Sequence, residues 1–224
     1  MRTTSFLALA ALLHADVSSG GEPFRKLSIA VVASGGSPES CVARMKRIFP
    51  DAAVTQIAPE SGWADLRHYA LVALPSEWTM HWKQISARRA DYTRYVRGGG
   101  GLLLFQPNPH RFRDEQLQVD LLPAPFTVHN QYHDNGVERV GEPALLKGLG
   151  ERDLPYPCDR ILEWDPPWTL LARGTQSQNG SLIVARFGRG RAAVDSDHHG
   201  RDSNSSGFHS DEFLRRLVGW LTRR

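Results

Sequence analysis

The segment that most constrains this chain runs from Tyr92 to His110. Tyr92–Arg97 ends a helical pattern, Gly98–Gly101 make a turn, Leu102–Phe105 are wholly apolar, and Gln106–His110 leave on two prolines. A short apolar run bounded by turn signals reads as a strand buried on both faces. Such strands belong to parallel sheets, and open parallel sheets bind ligands beyond the carboxyl ends of their strands. The polar exit at Gln106, Asn108 and His110 is therefore the first place to look for function.

The preceding residues repeat the theme. Leu27–Ala33, Ala52–Ile57 and Tyr69–Leu74 read as strands, the last stopped by Pro75. Val42, Met45 and Phe49 recur at helical spacing, and a second helix covers Lys83 to Arg97 with Ile85, Tyr92 and Val96 on one stripe. Strands alternating with helices imply βαβ units, and right-handed crossovers then give a doubly wound sandwich. The fold class expected is α/β: a flavodoxin-like, mostly parallel sheet with flanking helices, closed by a C-terminal β-hairpin and helix.

Residues 121–168 are rich in proline and turn signals. Beyond them, short strands are expected at Arg160–Trp164, Trp168–Arg173, Ser181–Phe187 and Arg191–Asp195, the last two joined as a hairpin through Gly188–Gly190. From about Ser210 a helix presents Phe213, Leu214, Leu217, Val218 and Leu221 as an amphipathic stripe. With no repeat and no internal linker, residues 22–224 read as a single domain.

Arg2 followed by the apolar run Phe6–Leu13 and small or polar residues gives residues 1–21 the layout of a signal peptide, too short for a membrane span. The alternative is a disordered tail or a misassigned start. On the first reading the mature chain is secreted or periplasmic, without stable membrane insertion. A formal net charge of +3 and no dense basic run argue against nucleic acid. Arg186, Arg189 and Arg191 read as a solvated hairpin. Cys41 and Cys158, the only cysteines, make neither a disulfide framework nor a zinc site, although an exported chain could pair them. Gly35–Gly36 and Gly98–Gly101 match no phosphate-binding loop; the latter reads as a helix C-cap and turn.

The order of these pieces resembles the class I glutamine-amidotransferase-like superfamily, and within it the trehalose-utilisation (ThuA-like) group. Three segments carry the likeness: Tyr95–Leu104; Glu142–Leu149, where Glu142 replaces a histidine of the group's pattern; and Phe187–His199. The resemblance implies the fold and a sugar-related ligand. It also implies a nucleophilic cysteine after the strand ending at Phe105, where this chain has Gln106, Pro107 and Asn108. None of these can be activated as a nucleophile, so a glutaminase reaction is not expected.

The densest cluster of functional side chains is Asp195 to Asp202, which contains Asp197, His198 and His199. Imidazole beside carboxylate suits a divalent transition metal or proton transfer near neutral pH. The catalytic candidates are His198, His199 and Asp197, with His198 or His199 as general acid/base. The substrate-binding candidates are Gln106, Asn108, His110, Glu77 and His133, with His129 a further wall of the pocket. The structural alternatives are a loop with one ring packed and one solvated, and Asp195 as a ladder end facing solvent. Trp63, Trp82, Trp164, Trp168 and Trp220 read as core or lid, with Trp78 or Trp82 available to stack on a sugar. No metal site matches a known spacing, and no cofactor or oligomeric state is specified.

Two functions fit. One is an exported ThuA-like domain that binds or processes a carbohydrate-related small molecule at the carboxyl edge of the sheet. The other is a catalytically inert amidotransferase-like module acting as an interaction or structural component of a cell-envelope complex.

Overall fold

A computed structural model describes residues 27–33, 38–76, 78–107, 116–129, 134, 136–141, 143–157, 160–197 and 210–223. Its frame is a parallel half-sheet of β1 (Ser28–Val32), β2 (Ala53–Ile57), β3 (Leu71–Leu74) and β4 (Gly101–Phe105), to which β11 (Gly190–Asp195) adds beside β4. The order β2-β1-β3-β4-β11 follows the flavodoxin-like pattern over this half, with strand order reversing between β1 and β3.

Helices cover both faces. α1 (Pro38–Ile48) opens on a proline whose missing N–H costs a first turn nothing, and ends on Lys46 and Arg47, which favour the carboxyl end of the dipole. α1 packs Cys41, Met45 and Ile48 with α5 (Asp211–Thr222) on Ile29, Val31, Leu103 and Phe105. The α5 stripe is the one expected, and Ser210 Oγ caps it by accepting from Phe213 N at 3.2 Å. On the other face, α2 (Trp63–Leu66), α3 (Trp82–Ser86) and α4 (Arg89–Arg97) pack Leu66, Ile85, Tyr92 and Val96 on Ala30, Val72, Leu102 and Val194. The single helix expected over 83–97 is thus two. Arg88 N bonds to Ile85 O at 2.9 Å, three residues back, and Ser86 Oγ reaches Lys83 O at 3.4 Å, so the turn tightens and breaks the ladder.

The expectation of a mostly parallel sheet needs correction. Past β11 the sheet continues antiparallel through β10 (Gly180–Phe187), β8 (Arg160–Trp164), β6 (Phe126–His129) and β5 (Gln116–Val119). β9 (Thr169–Gly174) pairs β10 and carries β7 (Val137–Arg139) as a branch. The hairpin of β10 and β11 is as expected. β5, β6 and β7 were not foreseen, because each is at most four residues long and gives too few positions for alternation to register.

The glycine run is structural. Gly98 ends α4, Gly99 takes φ +111°, and a Cβ on Gly100 would sit 2.2 Å from the Tyr95 ring. These glycines let the β10–β11 hairpin close against the end of α4, where a Cβ on Gly190 would lie 1.9 Å from Val96 O. The reading of that hairpin as solvated holds for Arg186 and Arg189 but not for Arg191. Arg191 is buried, lies over the Trp220 ring at 5.2 Å and donates to the Trp220 carbonyl at the end of α5. Cys41 is a free buried thiol under α1, pushed up by desolvation to about 12; Cys158 lies outside the described residues.

Candidate functional site

Buried polar side chains are not spread evenly through this fold. Nine described polar or charged residues are buried, and all but Asp134 and Arg191 gather where strands reach the carboxyl rim of the parallel half-sheet. Ser76 and Thr79 follow β3, Gln106 follows β4, Ser181 begins β10, and Asp195, Ser196 and Asp197 end β11. Backbone bonds fix this arrangement: Gln106 N donates to Asp195 O at 2.7 Å, and Ser196 N to Ser181 O at 2.9 Å. The exits of β4, β11 and β10 therefore lie side by side.

Asp195 does not face solvent; it and Asp197 are fully buried. One Asp195 oxygen accepts from Asp197 N at 2.9 Å, turning the chain as it leaves the strand. Asp197 in turn accepts from Tyr156 N at 3.1 Å, and Ser196 Oγ donates to Tyr156 O at 3.2 Å. The Tyr156 hydroxyl donates to the Asp134 carbonyl. One residue between two prolines thus ties the rim to the loop before β7.

Asp134 anchors that loop. Its carboxylate accepts from Gln176 N at 2.8 Å, Ser177 N at 3.0 Å, the Ser177 hydroxyl and Thr175 Oγ1 at 3.4 Å. Burial works against its charge, but the hydrogen bonds, led by Ser177, outweigh it and hold the carboxyl below the ordinary range. Gly174 makes room: a Cβ there would lie 1.9 Å from Asp134 Oδ2.

Two rim atoms stand out chemically. Gln106 is 5% exposed, and its buried Oε1 has no hydrogen-bond donor; Ser181 is fully buried, and its Oγ has no partner. Buried polar atoms are almost always paired, and one left alone costs roughly 1–3 kcal/mol. Two on strands flanking the same exit are a local concentration of stored cost.

Of the residues expected to form the site, Gln106 and Asp197 reach adjoining strand exits. Glu77, Asn108, His110, His133, His198 and His199 lie outside the described residues. His129 is not beside β11 in the ladder: it pairs with Arg160, and β8 and β10 intervene. Trp78 is fully buried, its indole donating to Phe105 O at 2.9 Å, so it braces the end of β4 and is no stacking platform. Trp82 packs on it at 5.6 Å and is partly buried. Sequence reasoning missed Ser181, Tyr156 and Asp134; only Tyr156, between Pro155 and Pro157, carried any local signal. Among the described residues no grouping of three His, Cys, Asp or Glu side chains could hold a metal ion.

Comparison with solved structures matches this architecture along nearly the whole chain. A ThuA-like protein from Bacteroides uniformis aligns with TM-score 0.55 and 12% identity over 92% of this chain and 95% of its own. A GMP synthase subunit from Thermoplasma acidophilum gives TM-score 0.58 and 10% identity, over 87% and 93% respectively. A glutamine amidotransferase from Thermotoga maritima gives 0.50 and 9%, over 87% and 81%. The fold is glutamine amidotransferase-like. No family model and no curated protein sequence matches the chain. At such identities the amidotransferase-like fold fixes the architecture, while chemistry must come from the rim itself. The Glu142–Leu149 likeness is structural in what it places: Gly148 takes φ +77°, and Leu146 and Leu149 are buried in the α1/α5 layer.

Proposed function

We propose that this chain is an exported ThuA-like domain whose carboxyl rim binds or processes a small, carbohydrate-related ligand. In this reading Gln106 accepts a hydroxyl donor of the ligand. Asn108, His110, Glu77 and His133 orient further hydroxyls, and His198 or His199 acts as general acid/base, its tautomer set by Asp195 or Asp197. It is not a glutaminase: Gln106 and Pro107 follow the strand after which the fold's enzymes would carry a nucleophilic cysteine. The observation that carries the reading is the gathering of buried polar side chains at one rim, with Gln106 Oε1 left without a donor. Polar groups converging at the carboxyl ends of strands are how such sheets hold ligands.

A panel of sugars and oxidised sugars read by thermal shift, with and without chelator, tests this directly. A ligand that raises the melting temperature of the protein, but not of Gln106→Met, supports the reading. A flat response across the panel removes it. The second reading, an inert module of a cell-envelope complex, is favoured by the complete burial of Asp195, Ser196 and Asp197. It expects the flat response, and no change in any ligand-linked signal from His198→Ala or His199→Ala.

A further inference from the structure

The opposite edge of the sheet has a charge pattern of its own. α4 ends there, and the β10–β11 turn closes on it: Arg189 N donates to Arg97 O at 3.2 Å, and an Nη of Arg189 reaches Gly98 O at 3.0 Å. Arg94, one turn before Arg97, stacks its guanidinium 4.3 Å over the partly buried Trp63 ring. Arg94, Arg97 and Arg189 are all exposed, and no carboxylate among the described residues pairs with any of them. Elsewhere on the described surface several arginines do meet acids: Arg47 with Asp211, Arg89 with Asp120, Arg173 with Glu138, Arg216 with Glu212. Arg67, Arg139 and Arg152 also have no carboxylate partner among the described residues, but they stand apart from one another in sequence.

Part of this charge serves the fold, since Arg189 satisfies a terminal helix carbonyl. A guanidinium has five N–H donors, however, and one bond leaves most of them directed to solvent. We infer that Arg94, Arg97 and Arg189 form a docking surface for an acidic segment of a protein partner. Residues three apart on a helix stand roughly 5–6 Å apart, and alternate side chains of an extended peptide repeat at roughly 6.7 Å. Carboxylates on such a segment can therefore meet Arg94 and Arg97 in turn, as bidentate pairs. A lipid surface fits less well. Stable membrane attachment needs an apolar insertion beside the basic charge, and the one exposed large hydrophobic among the described residues, Met80, follows β3 at the far rim. The surface is separate from the carboxyl rim and does not depend on what binds there.

The test measures binding of the full chain to a short all-glutamate peptide at low ionic strength, read by tryptophan fluorescence. An all-glutamine peptide, anionic phosphatidylglycerol vesicles and single-stranded DNA serve as comparisons. The glutamate peptide should bind, weaken steeply with added salt, and lose at least roughly tenfold in affinity, about 1.4 kcal/mol, in Arg94→Gln/Arg97→Gln/Arg189→Gln. Arg97→Gln alone, at an exposed side chain with no hydrogen bond or ion pair among the described residues, should give a clear part of that loss while lowering the melting temperature only by the small helix-dipole contribution of its charge. Arg173→Gln should leave binding intact. Absence of peptide binding, equal loss in Arg173→Gln, or tighter binding to vesicles or DNA overturns the inference.

Discussion

Replacing Gln106 by methionine should make this protein more stable. Gln106 is almost completely buried after β4, its backbone N–H is already bonded to Asp195 O, and its Oε1 has no donor. A buried carbonyl that has left water without finding a partner costs roughly 1–3 kcal/mol. Methionine keeps the length of the side chain, removes the orphan atom and fills irregular space readily. Allowing for some loss of fit, the expected gain is about 1–2 kcal/mol. For a chain of this size that is a rise of roughly 2–8 °C in melting temperature, measurable by calorimetry or by the urea midpoint at unchanged slope. Leu104→Ala, two residues earlier and inside the buried strand β4, should instead lose about 2–5 kcal/mol. If Gln106→Met destabilises by more than about 1 kcal/mol, the amide is satisfied in the folded protein and the argument for a stored polar site is wrong.

Three further outcomes follow from the packing. Asp134→Ala removes the acceptor for the β9–β10 turn and should cost about 3–4 kcal/mol by urea denaturation. Because the folded carboxyl lies below its ordinary value, its contribution is full above the unfolded pKa of roughly 3.9 and is lost as pH falls through the folded value. The wild-type advantage over Asp134→Ala should therefore shrink only in acid; an advantage constant down to pH about 2 contradicts the assignment. Gly190→Ala drives a methyl into Val96 O and should cost more than about 3 kcal/mol, whereas Gly219→Ala, with open space around it, should be neutral or stabilising by about 1 kcal/mol. Cys41, with its thiol pushed to about 12 by burial, should resist alkylation at mildly alkaline pH until the protein unfolds; rapid labelling of native Cys158→Ser, where Cys41 is the one thiol, would mean α1 opens.

The centre of the parallel half was legible because β1, β3 and β4 are buried on two faces, and double burial writes itself as an unbroken apolar run: Ile29–Val32, Leu71–Leu74, Leu102–Phe105; β2, at the edge, is exposed or half-buried throughout. The α5 stripe was legible for the matching reason at helical period. Of the antiparallel half, β8, β9 and β10 were legible and β5, β6 and β7 were not, since Gln116–Val119 and Phe126–His129 alternate over only four residues. Arg189 and Arg191 look alike in sequence, yet one caps α4 from solvent and the other is buried against Trp220. Strand alternation and the position of a helix end decide that, and neither is local information. Asp134 had no signal at all, because its partners lie some forty residues away in the turn after Gly174. The adjoining exits of β4 and β11 could be anticipated from topology; the orphaned oxygens could not, because pairing is a property of the packed fold.

The central claim is that the carboxyl rim between β4, β11 and β10 is the ligand site. Nitrogen-edited NMR of the full chain during titration with the sugar panel tests it residue by residue. The account predicts that one ligand moves the Gln106 side-chain amide together with the backbone amides of Ser181, Asp195 and Asp197, while Arg97 and Gly98 at the other edge stay still. A bound sugar that leaves the Gln106 amide in place, or shifts confined to the α4 end, would contradict it.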